Sequence, residues 1–321
     1  MIASTAFVLA TTTVATGQAA AQPIGLDLVG SFSLPGGAFD VLPDGRLLAV
    51  TSDGEVLLQS APNSSSYTAI DTIPQPNSDG FGASFVSVNP SGNRIAVGNN
   101  EFNSSNAVSV YDLDISSAGV DIGSQQIAIT TPNFSGDWAD DDTLFVTGAE
   151  SSTFATVVNR LGVTGGTVDT VVTPAGLFSG GVAFDSGTLY AGAGDTGEVR
   201  SFDAAFPSAP VSFTDGNNIA TANSAASIDV LGNLLLIAGQ QSGQQGDATV
   251  VDLTSGATLT LQPAGPGIFY GGYFNAATNQ LVVTATNFTL GTSEAFVYNI
   301  PAPAVLTLLP IAGIAASRRR R

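Results

Sequence analysis

The sequence predicts an all-β fold, a single six-bladed β-propeller, from three observations. Six short apolar runs recur at near-constant spacing, turn-forming residues separate them, and the composition is dominated by Gly, Ser, Thr, Asn and Val, with 37 glycines in 321 residues. The runs begin at Leu48, Ile95, Leu144, Leu189, Leu235 and Leu281, so successive starts lie 47, 49, 45, 46 and 46 residues apart. A period of about 45 residues is the length of one four-stranded blade. The residue vocabulary is that of short strands and turns, not of helices.

Within each unit the elements follow a fixed order, and the apolar run is the second strand. Ahead of it lies a first, inner strand that ends in a turn. Ala38-Phe39-Asp40-Val41 leads to Pro43-Asp44-Gly45, and Phe85-Val86-Ser87-Val88 to Pro90-Ser91-Gly92. Val182-Ala183-Phe184 leads to Asp185-Ser186-Gly187, and Ser227-Ile228-Asp229-Val230 to Gly232-Asn233. These turns supply the positive φ that a tight hairpin needs. Third strands are expected at 55–59, 108–113, 154–159, 198–203, 249–253 and 295–300. Fourth, outer strands are expected at 67–73, 126–131, 167–173, 210–214 and 257–262.

The sixth unit has no fourth strand, because Pro301 opens a different kind of sequence. A spare strand at 26–34 is expected to complete that blade and close the ring without an unpaired seam. Pro35, Pro74, Pro132, Pro174 and Pro263 follow five outer strands, where proline ends a strand without breaking an inner ladder. Glycine precedes the inner strand at Gly36-Gly37, Gly82, Gly136, Gly180-Gly181 and Gly271-Gly272, with Ala225-Ala226 in the fifth unit. Inner strands crowd the axis, and a missing side chain lets backbones approach. A sandwich would not repeat six near-equal units, and a solenoid would have shorter turns. No WD dipeptide recurs, so the body resembles propellers as an architecture and no named propeller family.

The two ends differ from the body. An apolar, Thr-rich stretch over 2–14 is followed by small residues, and Ala19 and Ala21 satisfy the small-x-small rule of signal peptidase. Residues 1–21 therefore read as a secretory signal, although 2–6 contain no Lys or Arg, and Gln22 as the first mature residue. The stretch is too short and too polar to span a membrane. At the other end, residues 304–316 are apolar apart from Thr307, and Arg318, Arg319, Arg320 and Arg321 close the sequence. Arginine clusters stay on the cytoplasmic side of a bilayer, and an apolar helix below the usual 17–25 residues suits transient anchoring.

Pro301-Ala302-Pro303, the apolar stretch and the arginine cluster, in that order, resemble a PEP-CTERM sorting signal. Ala302 stands where the namesake motif has Glu, and the resemblance covers about the last 22 residues. It implies handling by an exosortase-type transpeptidase of Gram-negative bacteria and delivery to the cell envelope, the cell surface or the extracellular matrix. The expected organisation is a signal over 1–21, a propeller over 22–300 and a sorting segment with an apolar helix over 301–321.

Charge and missing residue types exclude several functions. All 26 acidic residues lie between the two end segments, with Arg46, Arg94, Arg160 and Arg200 as the only cations there, a formal charge of −22. Such a body repels phosphate backbones, so nucleic-acid binding is not expected. The chain has no Cys, His or Lys. Disulfides, thiolate catalysis, Ser-His-Asp arrangements, the usual zinc ligands and Walker-type phosphate loops are thereby excluded.

The remaining chemistry is oxygen-based. Loops between second and third strands carry Asp53, Glu101, Glu150, Asp195 and Glu198, hard ligands suited to Ca²⁺, and form the expected mouth of the ring. Asp137-Trp138-Ala139-Asp140-Asp141-Asp142, the densest acidic run, reads as an exposed turn, with Trp138 packed between blades. Gly192-Ala193-Gly194-Asp195-Thr196-Gly197 matches G-x-G-x-x-G, but a strand follows it, so it reads as a hairpin loop. Arg46 and Arg94 occupy the same place before their apolar runs and read as scaffold. No catalytic or cofactor-binding set stands out. The expected role is an exported interaction or structural module with a surface polymer or protein as partner, the alternative being a carboxylate- and Ca²⁺-dependent hydrolase or lyase.

Overall fold

Each of the six apolar runs lies in a strand buried on both faces, and this places it second in its blade. The computed structural model describes residues 24–301, apart from 75–81, 102–106, 116–118, 130–131, 150–151, 154, 178, 195, 207–208, 240–245, 263–267 and 288–291. The expected signal segment and all of the sorting segment after Pro301 lie outside the described residues.

The first strand, β1 (Asp27–Leu34), stands apart from the strands that follow it. Blade 1 is β2 (Ala38–Val41), β3 (Leu47–Val50), β4 (Glu55–Gln59) and β5 (Tyr67–Thr72). Blade 2 is β6 (Val86–Val88), β7 (Arg94–Val97), β8 (Ala107–Asp114) and β9 (Gly119–Ala128). Blade 3 is β10 (Asn133–Trp138), β11 (Thr143–Ala149), β12 (Ala155–Gly162) and β13 (Thr167–Leu177). Blade 4 takes β14 (Ser179–Asp185), β15 (Thr188–Ala193) and β16 (Glu198–Asp203), then skips β17 (Val211–Ser212) and ends on β18 (Asn217–Thr221). Blade 5 is β19 (Ser227–Leu231), β20 (Leu234–Gly239), β21 (Asp247–Asp252) and β22 (Thr258–Leu261). Blade 6 is β23 (Ile268–Asn275), β24 (Gln280–Asn287) and β25 (Thr292–Asn299), completed by β1.

The expected closure is therefore present. β1 pairs antiparallel with β25 from Asp27↔Asn299 to Leu34↔Ser293. Inner strands touch in chain order, β2 to β6, β10, β14, β19 and β23, and β23 returns to β2. The core is six clusters, one in each seam between blades. Strand alternation explains it: in β3, Leu48 and Val50 fill the seam to blade 2 while Leu47 fills the seam to blade 6. A second strand is apolar over most of its length because it feeds two seams, with Thr147 and Thr284 as buried exceptions. Close approach at the axis shows at Gly181, whose N–H donates to Ala225 O at 2.7 Å and where a Cβ would stand 2.5 Å from Ile228 N.

Three expectations change. The outer strand of blade 2 is β9, running earlier than 126–131, because the eight-residue β8 pairs along its length from Ala107↔Ala128 to Asp114↔Gly119. The outer strand of blade 4 is β18, not 210–214. Val211 and Ser212 pair in parallel with Val172 and Thr173 of blade 3, and a 3-10 turn (Phe213–Asp215) follows. Phe213, 1% exposed, is buried in the seam between blades 3 and 4, which draws this segment off its own sheet. Finally, Pro174 does not end β13. The strand runs on to Leu177 through a register shift between Val172 and Ala175, so the proline sits at an irregular edge position.

Candidate functional site in the axial channel

The inner strands enclose two adjoining cavities of about 320 and 460 Å³, whose walls share Phe39, Val86, Ser135 and Gly136. The larger is bordered by all six inner strands and contains three carboxylates, Asp40, Asp137 and Asp229. These occupy one position in blades 1, 3 and 5. Each aspartate bonds its own strand with one oxygen and the next blade with the other. Asp40 Oδ1 accepts from Val41 N at 2.7 Å and Oδ2 from Val88 N at 2.6 Å. Asp137 accepts from Trp138 N at 2.9 Å and Phe184 N at 2.6 Å. Asp229 accepts from Val230 N at 2.7 Å and Phe274 N at 2.5 Å. Blades 2, 4 and 6 carry Ser87, Ala183 and Tyr273 at the same place.

The electrostatics follow from this packing. Burial pushes the Asp40 carboxyl up to about 7, against the two backbone N–H groups, with Asp229 adding to the rise. Burial pushes Asp229 up to about 6. Asp137 is held well above the ordinary carboxylate range by burial and then by the negative charges of Asp229 and Asp40. No arginine lines either cavity among the described residues. Arg46, Arg94, Arg160 and Arg200 pair instead with Asp44, Asp112, Asp169 and Glu198 at 2.7, 3.3, 3.2 and 2.5 Å. The channel thus holds three carboxyls without a counter-charge: Asp40 and Asp229 exchange protons near neutrality, and Asp137 is raised in the same direction.

The acidic run at 137–142 is split by the fold, which corrects the reading of it as one exposed turn. Asp137 points to the channel, and Trp138, 4% exposed, packs between blades 2 and 3 with its Nε1 donating to Ser87 O at 3.0 Å. Asp140, Asp141 and Asp142 form the turn, and each is an acceptor. Asp140 takes Thr143 N at 2.7 Å, Asp141 takes Ser91 Oγ at 2.5 Å and Asn89 Nδ2 at 2.7 Å, and Asp142 takes Thr164 N at 2.7 Å. Hydrogen bonds from Ser91 and Thr164 hold Asp141 and Asp142 below the ordinary carboxylate range. Backbone and hydroxyl donors thus relieve the repulsion among adjacent carboxylates.

The sequence-predicted mouth residues lie at the opposite end of the inner strands from the hairpin turns. Asp53 is exposed in the turn after β3, Glu101 is 9% exposed after β7, and Glu198 opens β16 and pairs with Arg200. Glu150 and Asp195 lie outside the described residues, as do Ala19, Ala21, Ala302, Pro303 and Arg318 to Arg321. Among the described residues no three acidic side chains stand close enough to hold a metal ion. Gly192, Ala193 and Gly194 end β15 and enter the β15–β16 hairpin, as expected of a loop. Sequence reading missed the channel aspartates, though Asp40 and Asp229 carry a signal: an acid flanked by apolar residues in the first strand of units 1 and 5. No protein-family model and no curated protein matches the chain.

Proposed function

We propose that this is an exported protein of the cell surface or extracellular matrix, whose propeller is an interaction or structural module. In this reading signal peptidase removes residues 1–21, and an exosortase-type transpeptidase recognises the segment from Pro301 to Arg321 while its apolar stretch anchors the chain transiently. One observation supports it above the others. The two ends of the ring leave the fold side by side: Asp27 pairs with Asn299, and a Cβ on Gly25 would stand 3.6 Å from Pro301 Cγ. A ring whose ends meet at one rim is carried on a single stalk with both faces free for partners. The uncompensated carboxyls of the channel favour cationic or neutral surface partners over anionic ones.

The test is the intact mass of the protein taken from its native cell surface. A chain that begins at Gln22 and ends near Pro301 is the expected result. A chain that retains Met1 and Arg321 would overturn export and sorting and leave the propeller untouched.

A further inference from the structure

We propose that the outer rim of blade 6, at Leu28 and Val29, rests on a lipid surface while the C-terminal segment anchors the ring, an inference that rests on the anchoring reading above. Leu28 and Val29 are 54% and 50% exposed, and only Val168, at 38%, joins them as an exposed large apolar residue among those described. Isolated exposed apolar residues are ordinary, but this pair is contiguous. Strand alternation would place neighbours on opposite faces. Here the register shifts between Leu28 and Gly30, so Val29 has no partner on β25 and the alternation is interrupted. β1 is also the outermost strand of its blade, so the pair faces outward from the ring.

The position of the pair identifies the partner. Pro301 leaves the fold beside Gly25, three residues before Leu28. The apolar stretch begins at residue 304. Three residues reach at most about 10 Å in any conformation, so anchoring that stretch in a bilayer brings this rim to the lipid. Two side chains are far too small for a specific protein interface, which needs about 800 Å² on each partner. They suffice for a lipid contact, because the tether makes the second contact intramolecular. The body's charge of −22 opposes close approach to anionic lipid, so the contact fits a zwitterionic surface, with acids farther than about 8 Å screened by salt.

The absence of cysteine makes the test clean. Leu28→Cys, Val29→Cys and, in opposite blade 3, Val168→Cys are labelled singly in the full chain with an environment-sensitive dye. Each is then incorporated into phosphatidylcholine vesicles, and flotation scores anchoring separately. A blue shift of emission at 28 and 29 with none at 168, in floated protein, is the expected result. Floated protein with no shift at 28 and 29, or with equal shifts at all three, overturns the rim contact while anchoring stands. Protein that fails to float overturns both.

Discussion

At Asp40, Asp137 and Asp229 the folded ring favours the neutral carboxyl more than the unfolded chain does, where aspartate titrates near about 3.9. The sign follows. Between the unfolded and folded values the native state binds more protons, so this contribution to stability is full below about pH 4, and the share of Asp229 and Asp40 is lost as pH rises through about 6 and about 7. The melting temperature is expected to fall from about pH 5 to about pH 8, read by scanning calorimetry. General repulsion in a body of charge −22 acts in the same direction, so a variant must separate the two. Asp229→Asn should flatten the slope, whereas Asp53→Asn, at an exposed turn, should leave it; equal slopes in both would remove the channel from the explanation. Trp138→Phe removes the Nε1–H bond to the Ser87 carbonyl across the seam between blades 2 and 3 and should cost about 1 kcal/mol by denaturant unfolding. Asp40 and Asp229 were legible as acids inside apolar strands. Asp137 was not, because three more aspartates follow within five residues and only the fold divides them at Trp138.

Among the elements, the detour between β16 and β18 shows where local pattern stops being informative. Val211 and Ser212 form a strand as expected, but the sheet they join is chosen by Phe213, whose ring finds the seam between blades 3 and 4. Arg200 secures this choice: it bonds Thr214 O at 2.9 Å and Gly216 O at 2.7 Å, pairs with Glu198, and its guanidinium lies 5.7 Å from the Phe213 ring centre. Arg200→Ala is expected to cost about 2 kcal/mol and to speed amide exchange at Val211 and Ser212 more than at β15. Uniform exchange across blade 4 would show that the detour is held by other contacts. The six second strands, by contrast, were all legible, since a strand that feeds two seams carries an unbroken apolar run of three residues at a fixed spacing.

For the molecule as a whole, β1 converts an open array into a ring. Phe32, 4% exposed, anchors it beside Val282 and Val297, and Ser33 N donates to Ser65 Oγ of blade 1 at 3.1 Å. Phe32→Ala should cost about 3–5 kcal/mol. Deleting residues 1–34 bares the β25 edge, and the chain should then self-associate in size-exclusion chromatography; a monomeric, cooperatively melting product would show that closure is dispensable. The seams themselves have parity. Odd blades reach forward with an inner-strand carboxylate, while Asn89 and Asn275 of blades 2 and 6 reach forward to Asp141 and to Gly45 O, at 2.7 and 2.8 Å. Copying one blade would set two like neighbours together and leave a junction unstitched. The stitch that recurs strictly is the carboxylate, at every second junction, since blade 4 has Asp185 where blades 2 and 6 have Asn89 and Asn275, so the structural repeat at the axis of the ring is the blade pair.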